Sequence, residues 1–542
     1  MSFAGLALLA CLLRPAWAVS SPRLDRRSAV QILDRLTFGP RPGDVEKLQT
    51  EGYDAWLDRQ LRPETIDDSA CEARLSGLAT LKMTSGQLFD AFPLMAKRQK
   101  LGLPDGPPPR QILEELSAAK VTRAYCSERQ LQEVMTDFWF NHFNVSWAKD
   151  SDKYLLTSYE RDVIRPRVFG KFRDLLGAVA HSPAMLTYLD NFQSTIDERY
   201  APLSSRQDIE RMEDRMDRAA AARGGKGRKK LGLNENYARE LMELHTLGVD
   251  GGYTQRDVTQ LARVLTGWSV ERPNPARGIA DFRFVYRPRM HDPGTKVVLG
   301  QVFTTPAPRQ GEQEGERALD LLARRPATAR FLALKLCRRF VSDDPPPALV
   351  AKVAKRFHET GGDIRLTLRT LFTSKEFLDP LTFRAKVKTP FEFAISALRV
   401  TGAELRDPVK AARVVASMGE PLYLCEPPTG YPDKASAWVN SGALLSRMQL
   451  ALQLFNDRPQ APAGADPRAL LRGVPLDDGR AIVAKLVDDF LGGEISDRTM
   501  TAIERRLSDP EISGARLDDA SPRYRLPRLA ALVLGSPDFQ RR

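Results

Sequence analysis

The stretch NENYARELMELHTLGVDGGYTQRDVTQLARVLTGW, Asn234 to Trp268, decides the fold. On a helical wheel, Glu235 to Leu247 places Tyr237, Leu241, Leu244 and His245 on or beside one apolar face. Glu235, Arg239, Glu240 and Glu243 lie on the opposite, polar side, the pattern of an amphipathic helix. The helix is expected to stop at Gly248 and the chain to turn through Asp250-Gly251-Gly252, a turn that needs positive φ. A second helix should start at Thr254, whose hydroxyl can cap it while Asp257 takes the third helical position, and should end at Gly267. Start, turn and stop signals together define one helical hairpin.

Outward from this hairpin the same period recurs in QEVMTDFWFNHF, ATARFLALKLCRRF, DIRLTLRTLF and AIVAKLVDDFLGG. The chain is therefore expected to be mainly α, a multi-helix bundle-like body. Gly361-Gly362 should close one helix and Asp363 open the next. One small β-hairpin is expected near 282–299, with Phe282 to Tyr286 and Lys296 to Leu299 joined across the turn Asp292-Pro293-Gly294. Composition suggests a signal peptide at 1–18, an N-terminal helical region at 19–202 and a charged flexible insertion at 203–232. A central helical region at 233–456 and a C-terminal helical group at 457–542 follow.

Seven motifs fall in order along the chain: DFWFNHFNV from Asp137, the hairpin stretch, HDPGTKVVLG from His291, KLCRRFV from Lys335, KVKTPFEF from Lys386, PPTGYP from Pro427 and WVNSGALLSRM from Trp438. In these the chain resembles the large bacterial proteins catalogued as domain of unknown function 1800. The likeness covers nearly the whole mature chain. It implies a mostly exported class of proteins and carries over no catalytic residue.

The 542 residues are 42% hydrophobic and 28% charged, an ordinary globular composition with enough length for a large core. An apolar run from Phe3 to Leu13 followed by Ala16-Trp17-Ala18 predicts a cleaved signal peptide and export to the periplasm or cell envelope. Cys11 in Leu8-Leu9-Ala10-Cys11 gives a looser, lipoprotein alternative. No later segment is long and apolar enough to span a membrane. The mature chain keeps Cys71, Cys126, Cys337 and Cys425, which in an oxidising compartment can form no bridge, one or two, and their spacing fits no metal knuckle. The net charge of +12 is partly local, from Arg223 to Lys230, and favours anionic envelope polymers over nucleic acid, for which no recognition motif is present.

Three groups of residues are candidates for chemistry. The carboxylates Glu133 and Asp137 share one helix face, and Glu240 and Glu243 another; were the two faces to meet in a cleft, crowding would raise one pKa and create an acid/base pair. Otherwise they form solvated charge ladders. His142 and His245 both face the core, either as hydrogen-bonded core histidines or, with Glu240 or Glu243, as metal ligands, although the Glu-x-x-His hallmark of helical metal sites is absent. His291 and Asp292 sit on the predicted hairpin loop, as an exposed turn or as a general base beside a carboxylate. Tyr431 and Trp438 flank a proline-rich loop that either packs on the helical body or presents aromatics to a sugar or peptide. No nucleophile elbow, zinc-protease signature or dinucleotide fingerprint occurs, so no cofactor is indicated. The expected function is an exported binding or assembly component whose partner is an envelope polymer or another exported protein. A metal-assisted or acid/base enzyme centred on His142 and His245 is the alternative.

Overall fold

Helices Asn236–Glu243 and Gln255–Val264 form the expected hairpin. Gly248 and Gly252 adopt φ of 81° and 79°, and Thr254 with Asp257 makes a reciprocal capping box. The carboxylate of Glu235 ties the two helices together, accepting from Gln255 Nε2 at 2.7 Å and Thr259 Oγ1 at 2.6 Å. The first helix ends earlier than its apolar period suggests. His245 N bonds to Glu240 O at 3.0 Å and Leu247 N to Met242 O at 2.7 Å, five-residue steps that widen the last turn.

The computed structural model describes residues 24–94, 106–197, 231–305, 307–455, 461–475, 478–508 and 525–542, with scattered positions between 206 and 218. The fold is mainly α. A large buried hydrophobic cluster runs from Ala29 to Phe539, with two small ones beside it. Helices Pro326–Phe340, Pro347–Glu359 and Ile364–Phe372 pack in succession. Gly361 and Gly362, both at positive φ, end the second of them, and Asp363 caps the third by accepting from Leu366 N at 3.0 Å.

The β structure is small, but its pairing differs from the sequence expectation. Strand Arg283–Tyr286 pairs antiparallel with Trp268–Glu271, and Lys296–Val298 pairs with Gln301–Phe303 across Leu299-Gly300. Asp292-Pro293-Gly294 is thus a turn between two sheets. The strand Trp268–Glu271 follows directly on the second hairpin helix, and what fixes it is tertiary: Trp268 is fully buried, stacked on His181 at 4.6 Å and edge-on to Phe284 at 5.3 Å. Helix Glu312–Ala323 crosses the same indole at Gly315, where a Cβ would stand 2.0 Å from Trp268 Cζ2. Gly315→Ala is therefore expected to cost about 1–3 kcal/mol by overpacking, measured by urea unfolding, whereas Gly77→Ala, with open space around it, should show no clash penalty.

Cys71 and Cys126 form a disulfide, while Cys337 and Cys425 are free and buried. The segment 1–18, with Cys11, and most of the insertion at 203–232 lie outside the described residues. Ile209, within that insertion, is buried against Ile196 and Leu231. Among the described residues no helix is long and apolar enough to cross a membrane.

Candidate functional site

Helix Gln130–His142 carries Glu133 and Asp137 inward, and each meets a cation rather than the second predicted carboxylate face. Glu133 pairs with Arg165 at 2.6 Å, and Asp137 with Lys120 at 2.6 Å. Arg165 also reaches Glu160 at 3.3 Å, and Tyr423 donates to Glu160 at 2.6 Å. Glu160 owes its inward position to a π-helical turn, Tyr159–Ile164, a wide-turn geometry that recurs at functional sites. The Lys120 ammonium lies over three rings, Tyr423 at 5.1 Å and Phe140 and Phe391 at 5.6 Å each. Burial opposes its charge, yet Asp137 and Glu160 outweigh that and raise its pKa.

The carboxylate that faces Asp137 is Glu420. It is buried, and desolvation first, then the charge of Asp137, push its pKa up to about 8 against the 2.8 Å bond that Phe391 N donates to it. Glu420 is therefore a neutral acid at pH 7, in the same lining as Asp137, which pairs with a lysine. Asn141 and Asn144 staple the opposite wall: Asn141 exchanges two hydrogen bonds with the backbone of Tyr431 at 2.8 and 2.7 Å, and Asn144 donates to the carbonyls of Cys425 and Pro427 at 2.9 and 2.8 Å. Gly430 is required there, since a Cβ would stand 2.3 Å from Asn141 O. Tyr423 holds a left-handed φ of 63° while fully inside the fold, a strained conformation of the sort that accumulates at working sites.

These walls enclose a cavity of about 50 Å³, lined by Lys120, Asp137, Asn141, Arg339, Thr389, Glu420 and Tyr423 among others. It has room for a few water molecules. Four of the sequence motifs meet here: DFWFNHFNV supplies Asp137 and Asn141, KLCRRFV supplies Arg339, KVKTPFEF supplies Thr389, and PPTGYP supplies Tyr431.

A family model described as "Protein of unknown function (DUF1800)" matches residues 31–541. The chain belongs to this family. No curated protein and no solved structure matches it. The residues around which the DUF1800 motifs converge therefore have to be read from their chemistry.

Of the other predicted residues only Tyr431 lines this cavity. His142 and His245 are both 1% exposed with ring centroids 6.3 Å apart, and His142 Nε2 lies 3.2 Å from the carbonyl of His245, the group freed by the widened turn. Burial, with Lys335 next, holds both imidazoles well below their ordinary pKa, that of His245 at about 3, so both are neutral. Among the described residues no group of three or more His, Cys, Asp or Glu side chains is placed to hold a metal. Glu243 accepts from Tyr253 at 3.1 Å, and burial followed by Glu243 raises Glu240. His291 is buried rather than an exposed turn residue. Its Nδ1 bonds to Thr266 O at 2.9 Å, and its Nε2 lies beside Lys296 and Glu314, which pair at 2.7 Å with no solvent exposure. Asp292 is clamped by Arg263 through two bonds of 2.7 and 3.1 Å. Trp438 is 7% exposed and donates to Pro432 O at 3.0 Å within the proline-rich loop, while Tyr431 donates to Pro421 O at 2.8 Å, ahead of it in the chain.

The sequence marked Glu133, Asp137 and Tyr431 as candidates but not Lys120, Glu160, Arg165, Glu420 or Tyr423. Glu420 follows Gly419 in a loop, with no periodicity to mark its direction, and Lys120 sits in an alanine-rich helix where a lysine ordinarily faces water.

Proposed function

We propose that this protein is an exported cell-envelope component that binds its partner through the Asp137–Glu420 cavity. The Cys71–Cys126 disulfide is the observation that supports export, because such bridges form and persist in oxidising compartments. The apolar run from Phe3 and the small-x-small site before Val19 agree with it. The size of the cavity sets the mode of recognition. About 50 Å³ admits one polar group of a larger molecule, a hydroxyl, amine or amide of an envelope polymer or exported protein, offered a hydrogen bond by neutral Glu420 and a charge by Asp137.

A second reading is favoured by one observation, the burial of Glu420 in the same cavity lining as Asp137. Two carboxyls in one cavity, one of them with its pKa raised, are a pairing that general acid/base catalysis uses, with Glu420 giving a proton and Asp137 taking one. In this reading Lys120 is a positioning residue that pairs with Asp137 at 2.6 Å.

Two measurements test the proposal. Mass spectrometry of the protein taken from its producing cells without reductant should find a mature start at or near Val19 and a linked Cys71–Cys126 peptide. Retention of Met1 with all five cysteines as free thiols would overturn export. Cosedimentation with isolated cell walls should be strong for the wild type and lost in Asp137→Asn and Glu420→Gln. Equal sedimentation of all three would remove the cavity from the account, and soluble wall fragments released by the wild type alone would favour the acid/base reading.

A further inference from the structure

Beneath the KVKTPFEF segment lies a group of buried cations that the cavity does not use. Residues 386–388 run antiparallel to the last residues of the chain: Arg542 N donates to Lys386 O at 2.8 Å and Lys388 N to Gln540 O at 2.9 Å. This pairing brings the side chains of Lys388 and Arg542 into the interior beside helix Arg26–Leu36, which contributes Asp34 and Arg35. Lys388, Arg542 and Arg35 are 3%, 3% and 1% exposed.

Their donors outnumber their acceptors. Arg542 gives Nε and Nη2 to Glu392 at 3.1 and 3.0 Å, but its Nη1 has no partner. Arg35 spends both Nη groups on the carbonyls of Phe377, Val341 and Thr382, none of which carries a charge, and its Nε has no partner. The Lys388 ammonium reaches a single carboxylate, Asp34, at 3.8 Å, and otherwise rests 4.0 Å from the centre of the Phe539 ring. Glu392 is already shared with Arg339, so it leaves little for the others. Buried donors are almost always satisfied, and buried charges are compensated. Desolvation, with the neighbouring cations in support, weakens the hold of Arg35, Lys388 and Arg542 on their protons, as expected of positive groups with too few counter-charges.

We propose that a small inorganic anion, of the size of chloride or a single oxyanion, binds at the junction of Lys388, Arg542 and Arg35, where it takes the unused N–H groups of Arg542 and Arg35 and the ammonium of Lys388. The site lies under the residue before Thr389, which both lines the working cavity and caps helix Pro390–Val400. The anion would thereby fix the segment that presents Thr389 and Glu392, in addition to neutralising the cations.

Bromide is the direct probe, because it replaces chloride and scatters anomalously. Crystals grown in sodium bromide should give an anomalous peak beside Lys388 Nζ and Arg542 Nη1. Thermal unfolding at equal ionic strength should be higher by about 2 °C or more in potassium chloride, bromide or phosphate than in potassium gluconate, whose anion is too bulky to enter. Whether chloride or phosphate gives the larger shift identifies the natural occupant. In Lys388→Met the dependence on the anion should vanish. A map with no bromide at this junction, or a wild type that unfolds at one temperature in all four salts, would overturn the proposal, and the wild-type measurements decide it even if the variant does not fold.

Discussion

Replacing Glu392 by glutamine is expected to lower the unfolding free energy by about 3–5 kcal/mol, the cost of breaking a buried ion pair from one side. Glu392 is 5% exposed and is held by two guanidinium groups, Arg339 and Arg542, which are 6% and 3% exposed. Burial would raise its pKa, but the two arginines outweigh burial and hold it far below the ordinary carboxylate range. Glutamine keeps the shape and can still accept from Thr389 N, the 2.9 Å bond that closes the capping box of helix Pro390–Val400, so the loss reports the charge. The double replacement Arg339→Met with Glu392→Met should cost less than the sum of the two single changes, because it removes both charges together. Urea unfolding of the three variants checks this, and additive losses would show that the pair is not coupled.

The second large effect is expected at the disulfide. Cys71 and Cys126 are 55 residues apart in sequence, and closing a loop of that length in the unfolded chain is worth about 4 kcal/mol in the chain-entropy model. Cys71 lies in the short helix Ser69–Arg74, and Cys126 ends helix Arg110–Cys126, the helix that carries Lys120. The double variant Cys71→Ser with Cys126→Ser should therefore unfold at a lower urea concentration by that amount. Wild type treated with dithiothreitol should match it. A variant as stable as the untreated wild type would contradict the loop-closure account.

The helical hairpin was legible in the sequence because its signals are local: Thr254 and Asp257 cap each other, and Gly248 and Gly252 take the positive φ that the turn demands. The strand pairing was not. Asp292-Pro293-Gly294 carries all the marks of a hairpin tip, yet the partner of Arg283–Tyr286 is chosen by the burial of Trp268 against His181 and Gly315. Local turn chemistry fixes a bend without naming the strand across it. The same limit hid the fate of His291, whose place on a turn suggested exposure until Lys296 and Glu314 closed over it. At the candidate site, the helical period correctly turned Asp137 to one side of its helix. It could not reveal that the facing carboxylate comes from Glu420, 283 positions later, rather than from Glu240 or Glu243. The seven motifs carried more than any single periodicity did, since four of them meet in three dimensions around one cavity.

The central claim is that Glu420, beside the Asp137–Lys120 pair, is a neutral acid at neutral pH. Its pKa is raised from 4.5 to about 8 in the fold, so the folded state binds the proton more tightly than the unfolded chain. The resulting stabilisation is complete below pH 4.5 and is lost as pH rises toward 8. The direct measurement is the infrared carbonyl stretch of a protonated carboxyl, followed from pH 5 to pH 10 in wild type, Glu420→Gln and Asp137→Asn. The account predicts a band component at pH 7 that disappears with a midpoint near pH 8, is lost in Glu420→Gln while any signal from the buried Asp152 remains, and shifts its midpoint downward in Asp137→Asn. A wild type with no protonated carboxyl at pH 7, or one whose band survives Glu420→Gln unchanged, would contradict it.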